Sequence, residues 1–426
     1  MAKNSGLVAR IPAGLTDAAM ASLATFLTGL VGVNALDDVT RGVYAIFFTA
    51  FLAGTVIPTQ LALLPAETAA VARPADERLN GMWASSRIGL AVGPAALIPI
   101  ALALAATLGR ADAIDIVALT ITASVASVVS PIQDHVRRML HLGGRSWRAA
   151  ATSGAQLVGV LVSLGVLYLF DVPAVWIPLG ALAIANIGSV AFGLLGARPS
   201  PDEGIELALA SLARAGRWLL LMALGPRLSF FAASLIITVL AGPEAIGFAE
   251  AARIAAQPLY VLGLGLEAAV RPHAMTAAAE KDRVSARQHR RVFYPVVIGF
   301  TGIFVLWCGF DWIGNPFAYV VPAAYEVGGL VIVTALASGM RSALLPHMAE
   351  LLGARSERRL AMVTLKATPL QVLLALTAGW TGAFARPLGS TLDYGARLVA
   401  HESWRSVIYA PDADPPPETD KQDMPA

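Results

Sequence analysis

The sequence predicts an all-α polytopic membrane protein with about twelve transmembrane helices, in two parallel six-helix bundles around a central cavity. Three observations predict this fold class. The 426 residues are 56% hydrophobic and only 14% charged, with a mean hydropathy of +0.66, whereas soluble chains carry about 25% charged residues. Twelve windows are apolar for about 20 residues, the length that crosses a bilayer. A basic seven-residue motif also recurs in the two halves.

The twelve windows fall six on each side of a polar segment at 197–216. The last window is the most polar, because it contains Arg386, Asp393 and Arg397. We expect that helix to be short, tilted or sheltered by its neighbours. The windows are 13–35, 43–65, 87–108, 115–134, 148–170, 174–196, 217–241, 245–270, 293–314, 325–345, 360–381 and 385–400.

This division predicts four regions, which are an N-terminal bundle (1–196), a cytoplasmic linker (197–216), a C-terminal bundle (217–400) and a tail (401–426). In the linker, Ile205, Leu209 and Leu212 are spaced as on one face of a helix, which predicts an interfacial helix. The tail is charged and rich in proline, so we expect it to be disordered and cytoplasmic.

Positive charge is distributed very unevenly along this twelve-helix pattern. Of the 31 Lys and Arg residues, 25 fall on the side of both termini and three, Arg41, Arg110 and Arg386, on the other. Basic residues collect in cytoplasmic loops, so both termini are predicted to be cytoplasmic. The alanine-rich composition with 27 Arg and four Lys suggests a GC-rich bacterial genome, and we expect a multi-pass protein of the bacterial inner membrane. A formal charge of +2 gives no reason to expect a nucleic-acid partner.

The recurring motif is Leu-Gly-Gly-Arg-Ser-Trp-Arg at 142–148 and Leu-Gly-Ala-Arg-Ser-Glu-Arg at 352–358, which share five residues. Both copies lie between the fourth and fifth helices of their halves. Six helices return the chain to the same side, so the halves are predicted to be parallel repeats. A weaker match at Gly42 and Gly247, each just before an aromatic residue at the start of a helix, has a similar offset.

Charged residues inside membrane helices are costly, at about 2.5 to 3.5 kcal/mol each on insertion scales, so each is a candidate for function. Arg227 follows Gly225-Pro226 about 15 Å along its helix from Arg217, near the middle of the membrane. The Gly-Pro pair is expected to loosen or bend the helix. An arginine there can bind phosphate oxygens in a bidentate manner. Alternatively, it is a structural arginine paired with a carboxylate or with helix carbonyls.

Four other charged residues are candidates for substrate binding. Asp17 can be a proton site, a counter-charge for Arg227 or an interfacial residue. Glu250 and Arg253, at positions i and i+3, either neutralise one another or line a cavity. Lys366 lies about two turns inside its helix, where it can snorkel to the surface or face a cavity.

Motifs for catalysis are scarce. The sequence contains no GxxxxGK[ST] loop and no HExxH or CxxC spacing, so we expect no enzyme activity, no metal and no cofactor. One exception is Asp37-Asp38 in the first outer loop, because membrane glycosyltransferases that use polyprenyl donors place acidic residues in such a loop. Here the loop is short and no large outer domain follows it.

The twelve-helix pattern, the turn Gly42-Val43-Tyr44, the segment Gln-Asp-His-Val-Arg-Arg-Met-Leu at 133–140 and Gln156 in the next helix resemble the polysaccharide and lipid-linked oligosaccharide flippases. Their superfamily also contains the multidrug and toxin extruders. The resemblance implies alternating access, driven by ion gradients or by substrate. It also implies a polyprenyl-pyrophosphate-linked sugar as cargo, bound by Arg227 with Asp17, Glu250, Arg253 and Lys366 as companions. The polar twelfth helix departs from the family pattern.

On this basis, we expect a flippase that moves a lipid-linked sugar to the outer leaflet during cell-envelope polysaccharide biosynthesis. Its expected partners are that substrate, membrane lipids and envelope glycosyltransferases or a polymerase. Three alternatives remain. They are an ion-coupled multidrug or metabolite antiporter of the same fold, a membrane glycosyltransferase or ligase, and a scaffold for envelope assembly that transports nothing.

Overall fold

The computed structural model describes residues 11–71, 77–195, 209–310, 312, 314–319, 328–354 and 356–409. Within them the chain forms twelve helices, six in each half, and these helices confirm the predicted fold class. The first half contains α1 (Ile11–Asn34), α2 (Asp38–Gly54 and Leu64–Val71, joined by Val56–Pro58 and a π-helical turn, Thr59–Leu63), α3 (Met82–Val92 and Leu97–Thr107), α4 (Ala113–Leu142), α5 (Ser146–Leu169) and α6 (Ile177–Leu195). The second half contains α7 (Leu209–Ala241), α8 (Pro243–Ala255 and Gln257–Ala279), α9 (Arg283–Cys308), α10 (Leu330–Ala343 and Leu345–Gly353), α11 (Glu357–Ala367 and Pro369–Ala375) and α12 (Ala385–Ile408).

Nine of these helices, within the described ranges, are long and apolar enough to cross a membrane. The count is ten if the bent pair Arg358–Ala375 and Ala378–Arg405 forms one span. Helix α8 is not among the nine, and its sequence includes Glu244, Glu250 and Arg253. The helices that are not among the nine, α8, α11 and α12, all lie in the second half.

Helices α11 and α12 lie side by side and run in opposite directions. Gln371 Nε2 donates to Asp393 Oδ2 over 2.7 Å, and Arg397 Nη2 donates to Thr368 Oγ1 over 3.2 Å. The earlier residue of α11, Thr368, thus contacts the later residue of α12, Arg397, as expected for antiparallel helices. Arg386, Asp393 and Arg397 are all buried, which confirms that the polar twelfth helix is sheltered by its neighbours.

Two predicted boundaries differ from the structure. Residues 209–216, assigned to the linker, form the first turns of α7, and residues 196–208 lie outside the described ranges. The tail was predicted to begin at residue 401, but α12 continues to Ile408 because its end is anchored. Arg283 Nε donates to the carbonyl of Tyr409 over 2.6 Å, and Ile408 and Tyr409 are buried. Residues 410–426 lie outside the described ranges.

The repeated basic motif forms equivalent turns, between α4 and α5 and between α10 and α11. Each turn is closed by two backbone hydrogen bonds with the same spacing. The bonds align residue 143 with residue 354, whereas the sequence motif aligns residue 143 with residue 353. The bonds are Gly143 N to Met139 O and Arg145 N to Leu140 O in the first half, and Ala354 N to Glu350 O and Ser356 N to Leu351 O in the second. Below, "basic end" means the end with these turns, and "far end" means the opposite one.

The two halves meet closely at the far end, where α2 packs against α8. A Cβ atom on Gly42 would lie 1.9 Å from the carbonyl oxygen of Pro243, and one on Gly247 would lie 3.2 Å from the backbone nitrogen of Gly42. Position 42 therefore requires glycine, whereas a Cβ atom at position 247 would make a tight contact. The two glycines matched by the sequence repeat thus face each other between the halves. Nearer the basic end, α7 also packs along α2.

The two acidic residues of the loop between α1 and α2, which was predicted to be the first outer loop, make contacts that stabilise the fold. The Asp37 carboxylate accepts hydrogen bonds from the backbone nitrogens of Val39 and Thr40 and caps α2. Partial burial alone would raise the pKa of Asp37. The hydrogen bonds to its carboxylate have the larger combined effect, so the pKa of Asp37 lies below the usual value. Asp38 forms an ion pair with Arg41 at 3.0 Å. These contacts account for both carboxylates without glycosyl transfer.

We predict that Asp37→Ala lowers the free energy of unfolding by about 1 kcal/mol, the usual contribution of a helix cap. Thermal unfolding of the purified protein at pH 7 tests this. Asp112→Ala is the matched control, because Asp112 precedes α4 with an extended backbone but its side chain makes no capping bond. The Asp37 contribution should be lost as the pH falls through the lowered pKa of the folded state. Equal effects of the two substitutions would contradict the assignment.

Candidate functional site: an arginine cavity in the second half

A cavity of about 250 Å³ lies among α7, α8, α10, α11 and α12. Among the described residues, Leu52 of α2 is the one from the first half that lines the cavity. The cavity therefore belongs mainly to the C-terminal bundle and faces the other half at Leu52. We call it the arginine cavity. Its lining is Leu52, Pro226, Arg227, Phe230, Arg253, Tyr260, Arg341, Leu344, Leu345, Met348, Gln371, Asp393, Tyr394 and Arg397.

Two of its arginines have no carboxylate partner among the described residues. Arg227 is partly buried and makes neither a hydrogen bond nor an ion pair there. Arg341 donates to the hydroxyl of Tyr260 over 2.9 Å, and its guanidinium lies 3.7 Å from the centroid of the same ring. Helix α7 continues through Pro226 rather than breaking before Arg227. The site therefore presents two cations whose charge no described acidic side chain neutralises.

Glu250 is a fully buried carboxylate shared by two arginines. Both of its oxygens lie 2.9 Å from Arg253 Nε, and Arg253 Nη2 approaches Oε1 to 2.6 Å. Arg386 Nη1 donates to Oε2 over 2.9 Å. The predicted pairing of Glu250 with Arg253 is confirmed, and α12 supplies a second cation that the i, i+3 spacing could not reveal.

Arg386 connects this ion cluster to the first half. Its Nη2 donates to Thr49 Oγ1 of α2 over 3.1 Å, and its guanidinium lies 4.3 Å from the ring centroid of Phe230. Arg386 was predicted to lie at the start of the twelfth window and was counted with the outer-side charges. The residue is buried in the second position of α12, because Glu250 supplies the counter-charge that its burial requires.

Arg397 and Asp393 form a neutral pair on one face of α12. Arg397 Nε and Nη2 each lie 2.7 Å from a different carboxylate oxygen, a bidentate arrangement. Together, the cavity lining and the Glu250 cluster contain five arginines and two carboxylates. The site is therefore strongly positive within a bundle of apolar helices.

Asp17 and Lys366 do not reach this cavity. The Asp17 carboxylate accepts hydrogen bonds from Arg137 at 2.8 and 2.9 Å, from Ser153 at 2.5 Å and contacts His141 at 3.1 Å. It is thus paired within the first half and is not the counter-charge of Arg227. Lys366 lies at the end of the first α11 segment with an exposed side chain. Across the described ranges, no three His, Cys, Asp or Glu side chains are grouped to hold a metal.

Arg341, Arg386 and Arg397 belong to the site but were not among the residues predicted from the sequence. Arg341 was assigned to the end of a window at 325–345, but α10 extends to Gly353 and brings Arg341 near its middle. A usable signal was present for Arg386 and Arg397, since both fall in the unusually polar twelfth window. Hydropathy alone does not indicate which helix faces contact each other.

Comparisons with known proteins identify the fold. No family model matches the sequence, and no curated protein is a detectable relative. An inward-facing multidrug resistance MATE family transporter of the MOP superfamily superimposes with a TM-score of 0.66 at 15% identity, covering 94% of this chain and 95% of that one. The outward-facing conformation of such a transporter gives a TM-score of 0.62 at 16% identity, covering 94% and 96%.

A third similar structure is a MOP superfamily transporter from Pyrococcus furiosus, described as having a binding pocket of reverse polarity that suggests a different function. It is 15% identical, covers 94% of this chain and 96% of that one, and has a TM-score of 0.62. This chain therefore has the MATE transporter fold, with both six-helix halves included in the match.

We predict that Glu250→Gln destabilises the protein by about 3 to 5 kcal/mol, because it leaves Arg253 and Arg386 buried close together without their shared counter-charge. Denaturant unfolding in detergent measures the loss. The double variant Glu250→Gln with Arg386→Gln should recover part of it.

Glu280→Gln is the control for this measurement, since Glu280 is an exposed carboxylate of the same half that forms no ion pair with another described residue. Its effect should stay below about 1 kcal/mol. A Glu250→Gln protein as stable as the control would contradict the shared-carboxylate interpretation.

Proposed function

We propose that this protein is an alternating-access transporter that moves a polyprenyl-pyrophosphate-linked saccharide from the inner to the outer leaflet in cell-envelope polysaccharide biosynthesis. The observation that supports the proposal is the arginine cavity, with Arg227 and Arg341 lacking carboxylate partners among the described residues. The inward side is inferred from the concentration of basic residues at the basic end.

The charge of the cavity favours an anionic cargo. Guanidinium groups bind phosphate oxygens through paired hydrogen bonds, and these bonds strengthen where water is scarce. Arg227 and Arg341 line one cavity from α7 and α10, so they can contact neighbouring phosphate oxygens of a pyrophosphate. Tyr260, Tyr394 and Phe230 add the aromatic surface on which a sugar ring can rest. In this mechanism, the polyprenyl tail remains in the bilayer.

The alternative is a multidrug or metabolite antiporter, which the similarity to multidrug resistance transporters suggests. Cationic drugs require acidic cavities, and the carboxylates Glu250 and Asp393 are already held by arginines. The transporter from Pyrococcus furiosus, whose pocket is described as reversed in polarity, supports the view that this fold can change its cargo. The anionic cargo is therefore the better proposal.

The contacts between the halves suggest how binding is coupled to movement. The far end is closed by Gly42 against Pro243 and by the hydrogen bond from Arg386 to Thr49. The same Arg386 is held by Glu250, which also holds Arg253 of the cavity lining. In our proposal, an anion in the cavity attracts Arg253 and Arg386, weakens the bond to Thr49 and favours opening at the far end.

We predict that Arg227→Gln and Arg341→Gln each reduce transport at least tenfold, because a charge-assisted hydrogen bond contributes about 1.5 to 3 kcal/mol. The assay is flipping of a fluorescent undecaprenyl-pyrophosphate-linked sugar in proteoliposomes. Arg287→Gln is the control, since Arg287 is an exposed arginine of α9 outside the cavity.

Three results would overturn the proposal. These are unchanged flipping by Arg227→Gln and Arg341→Gln, transport of cationic drugs by the wild type with no flipping, or transfer of the sugar to an acceptor by the purified protein. In cells, deletion should cause one lipid-linked intermediate to accumulate in the inner leaflet. An envelope defect with normal lipid transport would favour a scaffold instead.

We predict that Thr49→Val shifts the protein about tenfold toward a state open at the far end, because it removes the acceptor of the Arg386 bond and preserves side-chain shape. Spin labels at Ile114 and Leu240, exposed at the far ends of the two halves, report the distance between them. Thr122→Val is the control, since the Thr122 hydroxyl bonds only to carbonyls of its own helix. Identical distance distributions in both variants would contradict the coupling.

A further inference from the structure

A second concave site lies in the first half, well apart from the arginine cavity. It is a groove of about 220 Å³ between α3, α4 and α6. Buried Ile132 and Leu194 lie at its base, while Leu90 and Ile187 at its edge are 53% and 50% exposed. Its lining is Trp83, Ser86, Arg87, Leu90, Val129, Ile132, Ile187, Val190 and Leu194. A groove lined almost entirely by apolar side chains on a membrane-facing surface fits a hydrocarbon chain.

Arg87 is the one charged side chain in this lining. It is exposed and has no hydrogen-bond or ion-pair partner among the described residues. It lies five residues after Met82, the start of α3, which places it about 7 Å from the basic end of that helix. At that depth, a long arginine side chain reaches the lipid headgroups while its methylene stem stays in the hydrocarbon.

Ser86 is the second polar residue in the lining, but its hydroxyl hydrogen is not free to bind a ligand. The Ser86 hydroxyl donates to the carbonyl of Met82 over 2.7 Å, so its hydrogen is used within α3. A second cation lies close to the end of α6, where Arg148 Nη2 donates to the carbonyl of Phe192 over 2.8 Å and its guanidinium lies 4.2 Å from that ring. The basic end of the groove is therefore positive, with no carboxylate in its lining.

We propose that this groove binds an anionic phospholipid of the surrounding bilayer, with one acyl chain between α3, α4 and α6 and the headgroup phosphate on Arg87. A phosphate pairs with the guanidinium through charge-assisted hydrogen bonds, and an acyl chain covers the exposed Leu90 and Ile187. An anionic headgroup fits better than a zwitterionic one, because no acidic side chain of the groove meets an ammonium group. The site does not depend on what the arginine cavity carries.

Lipid binding to the full-length protein in mild detergent tests this proposal, with native mass spectrometry counting the lipids retained. Wild-type protein should retain phosphatidylglycerol in preference to phosphatidylethanolamine with the same acyl chains. Arg87→Gln should weaken phosphatidylglycerol binding about fivefold, the contribution of one basic residue at an anionic membrane surface. Ile187→Trp should weaken binding of either lipid, because the indole occupies the rim of the groove.

Arg287→Gln is the matched control, as it removes an exposed arginine at a similar depth in α9 that is not part of the groove. Its lipid retention should equal that of the wild type, and inorganic phosphate should not displace the lipid. Equal retention of both lipids by the wild type would overturn the proposal, as would equal losses in the two arginine variants. Unfolding in lipid-free detergent shows whether each variant is folded, and Ile187→Trp decides the outcome if Arg87→Gln is not.

Discussion

The ion cluster around Glu250 is the interaction on which the second half depends. A carboxylate buried among membrane helices is tolerated only when its charge is compensated, and here two arginines from different helices share it. One of them lines the cavity, and the other reaches Thr49 in the opposite half. The positive charge of the cavity and the closure of the far end are therefore parts of one network. Glu250 and Arg386 thus connect the cavity lining to the contact with Thr49 in the first half.

The two halves share a scaffold but use charge differently. Equivalent turns follow α4 and α10, and the matched glycines Gly42 and Gly247 meet between the halves. In the first half, buried acids are matched by bases, as Asp17 is by Arg137 and Glu67 by Arg138. The second half instead has more arginines than carboxylates around its cavity. The repeat explains the geometry that the halves share. The excess of arginines over carboxylates makes the cavity of the second half positively charged.

Hydropathy and charge distribution were sufficient to predict twelve helices in two halves, because apolar length and basic loops are properties of the sequence itself. They also identified Arg227, Glu250 and Arg253. They did not identify Arg341 or Arg386 as site residues, because helix ends and helix rotation depend on tertiary packing. The same limit explains Lys366, which fits a cavity by depth but has an exposed side chain. Depth in the membrane can be estimated from sequence, whereas the direction of a side chain requires the neighbouring helices.

The excess of arginines constrains what the cavity can bind. Burying a cation without a partner costs several kcal/mol, and the described acids of the site are fewer than its bases. The remaining charge of Arg227 and Arg341 must be met by water or by an anion from outside the chain. A phosphate group that replaces water lowers the cost of burying these guanidinium groups. An anion therefore gains most where the protein itself supplies the fewest carboxylates. In our proposal, an anion bound in the cavity competes with Glu250 for Arg253 and acts through Glu250 on Arg386. The proposed affinity for an anion and the proposed movement of the halves then share one cause, the shortage of negative charge at the site.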